Sequence, residues 1–538
     1  MASLTSLVFV IAFPACYLLY KIIRTRYSLR GLRGPPSSSF WIGNQQDILY
    51  QNEVGDVEFQ WMRKYGSAWR LYADPKAIQY VLHTSGYRFP KHAIVNEDSR
   101  LTVGDGLIWA HGDDHKRQRK IVNTAFTAPQ LKSFLGLFQQ QSSKVSRFDL
   151  FSHPLCNERN CLKLVQKWND EVGAADSVIN IAPWLSRLTL DIMGIAGFNF
   201  EFGALDDAEN KVNEAYKDLV MEGTLYRTKF DVVSRSLWKY VPEDILHLVR
   251  YLPLKNYARY LKYTTFMTGF AKEIFRKSEL KGTGNDVISV LYRANAAEDP
   301  RKRLVGAQLY DQVSTVLLAG HDTTAFTLTW FFWELAKNVS WQTKIREEIL
   351  AVRASVINRG DLDFSVSDLE GMTSLNAALK ESMRLHPILW QLFRMAGQDD
   401  VIPLDFPIVT ESGKTLSIPV RKGQDVTISV SAYNRMPQVW GEDAHEFNPD
   451  RFLGIDKTKQ TIVGLHANLI NFSGGIRGCI GWRFSLIEQQ AIAVALLEHF
   501  EFSMSEEKDI KRIPSAIMVP VAEGHEGAWL GLSVKSIR

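Results

Sequence analysis

The amino-acid sequence predicts a mainly α-helical chain with small β-sheets, built as one large domain behind an N-terminal transmembrane helix. Three observations carry this. Helical periodicity dominates after residue 46, and strand and turn chemistry is confined to residues 401–433 and 513–534. Residues 1–20 hold no charged side chain, and a run of basic ones follows. The 538 residues are 46% hydrophobic and 23% charged, enough apolar material for a large core, which excludes disorder. Length alone suggests three or four domains at about 150 residues each. Neither an internal repeat nor a break in composition divides residues 47–538, so they read as one body.

The N-terminal element comes first. Twenty residues of helix reach about 30 Å, the hydrocarbon thickness of a bilayer. Secretory signals place their positive charge before the apolar run; here Lys21, Arg24, Arg26, Arg30 and Arg33 all follow it. An uncleaved anchor over residues 1–23 is therefore expected, with the body on the cytosolic side. Pro14 kinks such a helix without forbidding a span. Residues 24–46 read as a basic stop-transfer segment and a hinge stiffened by Pro35 and Pro36. The whole chain carries +4 and its first 46 residues +5, so the body is left at −1. That balance gives no case for a nucleic-acid partner.

Within the body, residues 310–338 form an apolar-rich stretch without Pro, which predicts one long helix. Asp311, His321, Asp322, Thr323 and Thr324 interrupt its apolar face, so it lines a cavity rather than spanning lipid. Amphipathic helices are expected over 341–356 and 366–386, the second stopped by Pro387. Residues 479–500 return to helix. The four cysteines, Cys16, Cys156, Cys161 and Cys479, are too few for a disulfide scaffold. Cys156 and Cys161 lack a second ligand pair and read as ordinary thiols.

Cys479 is different, because it lies in Phe472-Ser-Gly-Gly-Ile-Arg-Gly-Cys-Ile-Gly481. A lone Cys in a Gly-rich loop opening a helix has amide N–H groups and a positive dipole end near its sulfur, which favours thiolate. Gly475 and Gly481 allow tight turns and a close backbone approach to a flat macrocycle. Phe472 offers an aromatic wall and Arg477 a charge for a carboxylate. The bland alternative is a buried structural thiol.

This segment resembles the haem-binding signature of the cytochrome P-450 family, FxxGxRxCxG, with every fixed position met. Other motifs follow in the order that resemblance requires. Glu381-Ser-Met-Arg384 matches ExxR, and Pro449-Asp-Arg451-Phe452 resembles the segment whose Arg joins that pair. The resemblance implies a structural Glu381–Arg384–Arg451 cluster. Ala319-Gly-His-Asp-Thr323-Thr324 resembles the oxygen-activation motif, with Asp322 and Thr323 as the acid–alcohol pair that relays protons. An Asp-Thr pair that merely splits one helix into two is the alternative. His115 and Arg119 fall where many members carry WxxxR, His replacing Trp, and Arg394 resembles the strand Arg that meets a propionate.

The resemblance covers the chain from Pro35 onward and is to the eukaryotic microsomal type. Tyr433-Asn-Arg-Met-Pro437 and Trp440-Gly-Glu-Asp-Ala-His-Glu-Phe447 look most like fungal members. It implies the cytochrome P-450 fold, haem b on Cys479, and a thiolate that favours O–O cleavage. It further implies an endoplasmic reticulum location with a cytosolic catalytic domain. The chain lacks a credible GxGxxG unit, so electrons from NADPH come through a separate NADPH–cytochrome P-450 reductase, with cytochrome b5 as a second donor. Basic side chains on the Cys face would dock it.

The pocket regions of the family map to Val103, Leu107, Ile108, Trp109, Leu318, Ala319, Leu389, Trp390 and Leu392, which suit a lipophilic substrate such as a terpenoid. As single residues they would also serve as plain core. Residues 237–254 (LWKYVPEDILHLVRYLPL) suit an interfacial segment against the bilayer. A haem-thiolate isomerase or dehydratase and a non-catalytic haem sensor are the rival readings.

Overall fold

A computed structural model describes residues 34–39, 43–65, 73–140, 161–172, 177–206, 229–238, 241–252, 255–281, 284–410, 413–454, 461–506 and 509–537, with Cys16, Tyr17, Leu19, Tyr20 and Ile23. The expected anchor and its basic flank lie almost wholly outside these, as does Cys156. No helix among the described residues is long and apolar enough to cross a membrane.

Ten helices build or cover the site. They are α1 (Ala93–Val103), α2 (Gly112–Val122), α3 (Ile181–Phe198), α4 (Lys229–Ser236) and α5 (Lys255–Lys281). The second half comprises α6 (Ala307–Gly320), α7 (Asp322–Lys337), α8 (Val339–Asn358), α9 (Thr373–Leu385) and α10 (Trp482–Leu497). Four small antiparallel sheets flank them. β1 (Ser177–Asn180), β9 (Gly531–Ser536) and β6 (Phe500–Met504) form one, in that order. The others are the pairs β2 (Gln391–Met395) with β5 (Asp425–Ser429), β3 (Asp400–Thr410) with β4 (Gly413–Val420), and β7 (Ile510–Pro514) with β8 (Met518–Ala522).

The core is aromatic where α7 meets β6. Phe332 lies 4.6 Å from Phe502, and Trp168 lies 5.5 Å from Phe500, as ring centroids. All four are fully buried. Such rings supply much of the apolar burial that holds a large single domain together.

Two predicted helices are divided. Residues 310–338 form α6 and α7, which meet at His321. The His321 imidazole Nδ1 bonds the Leu317 carbonyl at 2.9 Å, and the Thr323 hydroxyl donates to the Ala319 carbonyl at 2.8 Å. These side chains divert the carbonyls of the turn that would have carried the helix through. Residues 366–386 divide at Met372, whose ψ of 93° is extended. There Glu348 of α8 accepts the free N–H groups of Ser374 and Leu375, both at 3.0 Å, so the α9 N-terminus is held by an anion.

In the segment expected at the bilayer surface, Leu237, Val241, Ile245, Leu248, Tyr251 and Leu252 are exposed. Trp238 is not among them. It is buried under the Arg235 guanidinium.

Candidate active site

The Cys479 loop is shaped by its neighbours. The Cys479 N–H donates to the Phe472 carbonyl at 2.8 Å and the Gly478 N–H to that of Gly475 at 3.0 Å, which closes a tight double turn. Gly475 sits at φ +62°, and a Cβ there would stand 1.8 Å from the Leu82 carbonyl oxygen. Gly481 is unlike it. Its φ is −91° and a Cβ there would meet only the Phe126 ring, at 3.6 Å, so nothing in the protein demands glycine. Its N–H instead hydrogen-bonds the Cys479 sulfur. Gly475→Ala therefore costs several kcal/mol, about 1–2 from the left-handed backbone alone, and Gly481→Ala leaves the apoprotein within about 0.5 kcal/mol of the parent. Chemical denaturation of the two purified apo variants checks this, and equal costs would refute the steric assignment.

The expectation of a thiol acidified by a helix end is not met by the protein frame alone. α10 begins at Trp482, and burial pushes the Cys479 thiol up, against the pull of the Gly481 N–H and the Arg119 charge. Ligation to a metal is what deprotonates a thiol in such a place. Cys479 lines a cavity of about 1930 Å³ that is partly open to solvent, which leaves its side chain accessible.

One wall of that cavity is basic. Lys91, His115, Arg119, Arg394 and Arg477 all line it. Lys91 and Arg394 are joined by a β-bridge. Burial and then the Arg477 charge lower the pKa of Lys91, of Arg394 to about 10, and of His115 to about 3. His115 is thus neutral, its Nδ1 2.7 Å from the Tyr87 hydroxyl. Arg477 donates to the Ala110 carbonyl at 3.0 Å. Among the described residues no carboxylate pairs with Lys91, Arg119, Arg394 or Arg477. Asp399, five residues after Arg394, pairs with Arg421 at 2.8 Å.

Like charges crowded in a buried wall are costly unless an anion joins them. A thiol beside a basic wall with apolar Phe472, Ile480 and Leu392 on the same cavity is a donor set that fits haem: sulfur for iron, cations for two propionates. Sequence reasoning does not single out Lys91 or Tyr87. Lys91 follows Phe89-Pro90 at a chain reversal, and no local pattern distinguishes it from a surface lysine.

Asp322 and Thr323 also line the cavity, but they do not bond one another. The Asp322 carboxylate accepts from the Ser186 hydroxyl of α3 at 2.6 Å, and the Thr323 proton is committed to Ala319. Gly320 lets α6 close on α3, since a Cβ there would stand 2.1 Å from the Met193 methyl. Behind Thr323, Thr324 meets Ser485 of α10 at 3.0 Å. Deeper still is Glu488, a residue not singled out from sequence. Burial pushes its carboxyl well above the usual range, against a lowering by the nearby Thr324 hydroxyl. It is the lone acid of an otherwise uncharged helical run from Phe484 to Leu497.

The Glu381–Arg384–Arg451 cluster assembles beneath the loop. Arg384 pairs with Glu381 through two bonds of 2.7 Å. Arg451 stands 3.5 Å from Glu381 and binds Asp443 more closely, at 2.7 Å. Of the pocket candidates, Leu107, Ile108, Leu318, Ala319, Leu389, Trp390 and Leu392 line the cavity. Val103 and Trp109 are not on its wall: Val103 is buried, and the Trp109 ring is capped by Arg100 at 4.9 Å.

The family model for cytochrome P-450 matches residues 153–524. The chain is 32% identical to cytochrome P-450 monooxygenase 205 of Postia placenta, over 94% of this chain and 93% of that one. It is 30% identical to monooxygenase 128 of the same fungus, over 97% and 95%. It is also 29% identical to ganoderic acid synthetase of Ganoderma lucidum, over 96% of each.

Proposed function

The chain belongs to the cytochrome P-450 family and is a haem-dependent monooxygenase; from that premise we propose that it oxidises a lipophilic fungal secondary metabolite, such as a terpenoid, at the surface of the endoplasmic reticulum. The family implies haem, a redox partner and a small-molecule substrate. Cys479 is the proposed iron ligand. Arg119, Arg394, Arg477 and neutral His115 hold the propionates. Electrons come from NADPH through a membrane-bound reductase, with cytochrome b5 as a second donor. The anchor over residues 1–23 and the exposed apolar run at 237–252 are the proposed membrane contacts, the catalytic domain facing the cytosol.

The observation that carries this reading is a single cavity holding the Cys479 sulfur, the basic wall and the Asp322–Thr323 corner together. Its remaining wall is largely apolar, and likeness to a ganoderic acid synthetase favours a secondary metabolite as substrate. Bound haem supplies the reductive activation of dioxygen. The chain's own residues supply protons and exclude water. Asp322, held by Ser186, takes protons from the α3 side. Thr323, released from Ala319 by rotation, passes them into the cavity.

Microsomes with the protein and reductase, given terpenoids with and without NADPH, test the proposal. Product that depends on both NADPH and oxygen is expected. Product formed without either points to an isomerase or dehydratase. In the same assay Asp322→Asn and Thr323→Ala lower product formation by about 100-fold, with haem absorbance unchanged. Full activity in both would remove them from proton delivery.

A further inference from the structure

His115 stands where many family members carry a tryptophan, and the two side chains differ in one respect. An indole N–H is always a donor, whereas a neutral imidazole donates from one nitrogen and accepts at the other. His115 lines the cavity within the field of Arg119 and Arg477 and is 3% exposed. Its Nδ1 lies 2.7 Å from the Tyr87 hydroxyl, with the two rings edge to face at 5.8 Å. Nε2, on the far side of the ring, has no hydrogen-bond partner among the described residues. The position of one proton therefore decides whether His115 offers the cavity an N–H or a lone pair.

Tyr87 is held firmly enough to decide it. It sits in the short 3-10 turn Gly86–Arg88. The Arg88 guanidinium pairs with Asp400 of β3 at 2.9 Å, and the Arg88 carbonyl accepts the Gly397 N–H at 2.8 Å. The turn is thus clamped against β3 and the link that leads into it. The Arg477 guanidinium lies 5.6 Å from the centroid of the Tyr87 ring, and the Lys116 ammonium 5.3 Å from it. One side chain reaches two members of the basic wall, His115 through its oxygen and Arg477 through its ring.

The polarity of the pair follows from its atoms. An imidazole nitrogen is a far stronger base than a phenol oxygen, and a phenol O–H is the stronger acid. The hydroxyl therefore donates to Nδ1, and the ring proton stays on Nε2. The reverse arrangement leaves the Tyr87 O–H without an acceptor among the described residues and turns a lone pair toward an anion at the wall. We propose that Tyr87 is a positioning residue for His115: its hydroxyl fixes the proton on Nε2 and so makes His115 a hydrogen-bond donor to a carboxylate at the basic wall. His115 then does what an indole would do and adds no charge beside Lys91, Arg119, Arg394 and Arg477. This rests on the reading of that wall as the seat of the haem propionates.

The test uses the full-length holoprotein with two readouts, haem transfer to excess apomyoglobin and the haem reduction potential. Tyr87→Phe, which removes one oxygen, is expected to speed haem loss about three- to tenfold. It also lowers the potential, since a propionate that loses a donor leaves more negative charge beside the iron and favours its ferric state. The same substitution added to His115→Trp or to His115→Gln changes neither quantity, because an indole or an amide keeps its N–H whatever Tyr87 does. Haem loss and potential unchanged by Tyr87→Phe in the parent, or changed as much in both His115 variants, would overturn the proposal. The second outcome would make Tyr87 a packing residue. A parent protein that takes up no haem would instead overturn the reading of the wall, and the proposal with it.

Discussion

Cys479→Ala abolishes the shifted absorbance of the reduced carbon-monoxide adduct and lowers NADPH-dependent product formation by at least about 1000-fold, equivalent to about 4 kcal/mol. The loss is chemical rather than structural. Within the loop the backbone of Cys479 does the folding work, through its N–H on the Phe472 carbonyl at 2.8 Å. Alanine keeps that bond. The side chain itself touches the cavity, where burial makes a thiol reluctant to ionise without a metal. Difference spectra of the purified variant check the assignment, and a retained band would mean that another residue ligates the iron. The basic wall stays in place in this variant, so some haem is retained with altered absorbance.

Much of this is legible in the sequence because the Cys loop and the ExxR helix are local. Gly475, Arg477 and Cys479 lie within five residues, and their spacing alone states the chemistry. The basic wall is legible only in part. Arg119, Arg394 and Arg477 can be carried over from a pattern, but Lys91 reaches the same place through a bridge to Arg394, a pairing across 303 positions that no local periodicity encodes. The division of the central helix is present in the sequence only as the alternative reading of the Asp322-Thr323 pair, as one that splits the helix in two. Composition rewards continuous apolar stretches, whereas the break comes from hydrogen bonds of His321 and Thr323 to carbonyls one turn back. Val103 and Trp109 fail as pocket residues since their apolar character fits core and cavity equally well. The Asp98–Arg235 pair is invisible in the sequence, because both are ordinary surface types until α1 and α4 bring them together.

Arg384→Ala destabilises the protein by about 3–5 kcal/mol, a large share of the roughly 5–15 kcal/mol that holds a domain folded. All five guanidinium donors are engaged: two on Glu381, and the others on the carbonyls of Asn434, Ala444 and Glu446. Both members of the pair are completely buried. Glu381 in turn accepts the Asn448 N–H at 2.9 Å, so removing either side strands a charge and several backbone groups. A matched apolar pair such as Glu381→Leu with Arg384→Met does not recover this, because the three carbonyls and the Asn448 N–H stay unsatisfied. The consequence reaches the catalytic loop. Asn471, just ahead of it, donates to the Met383 carbonyl of the same helix at 2.7 Å, and Tyr433 holds the Asn468 carbonyl at 3.0 Å. Arg451→Ala is milder, since Arg451 binds the more exposed Asp443 and only approaches Glu381. The order of cost is therefore Arg384 above Arg451, read from denaturation midpoints and haem content together. The reverse order would mean that Arg451, not the ExxR pair, is what keeps the Cys loop beneath the cavity.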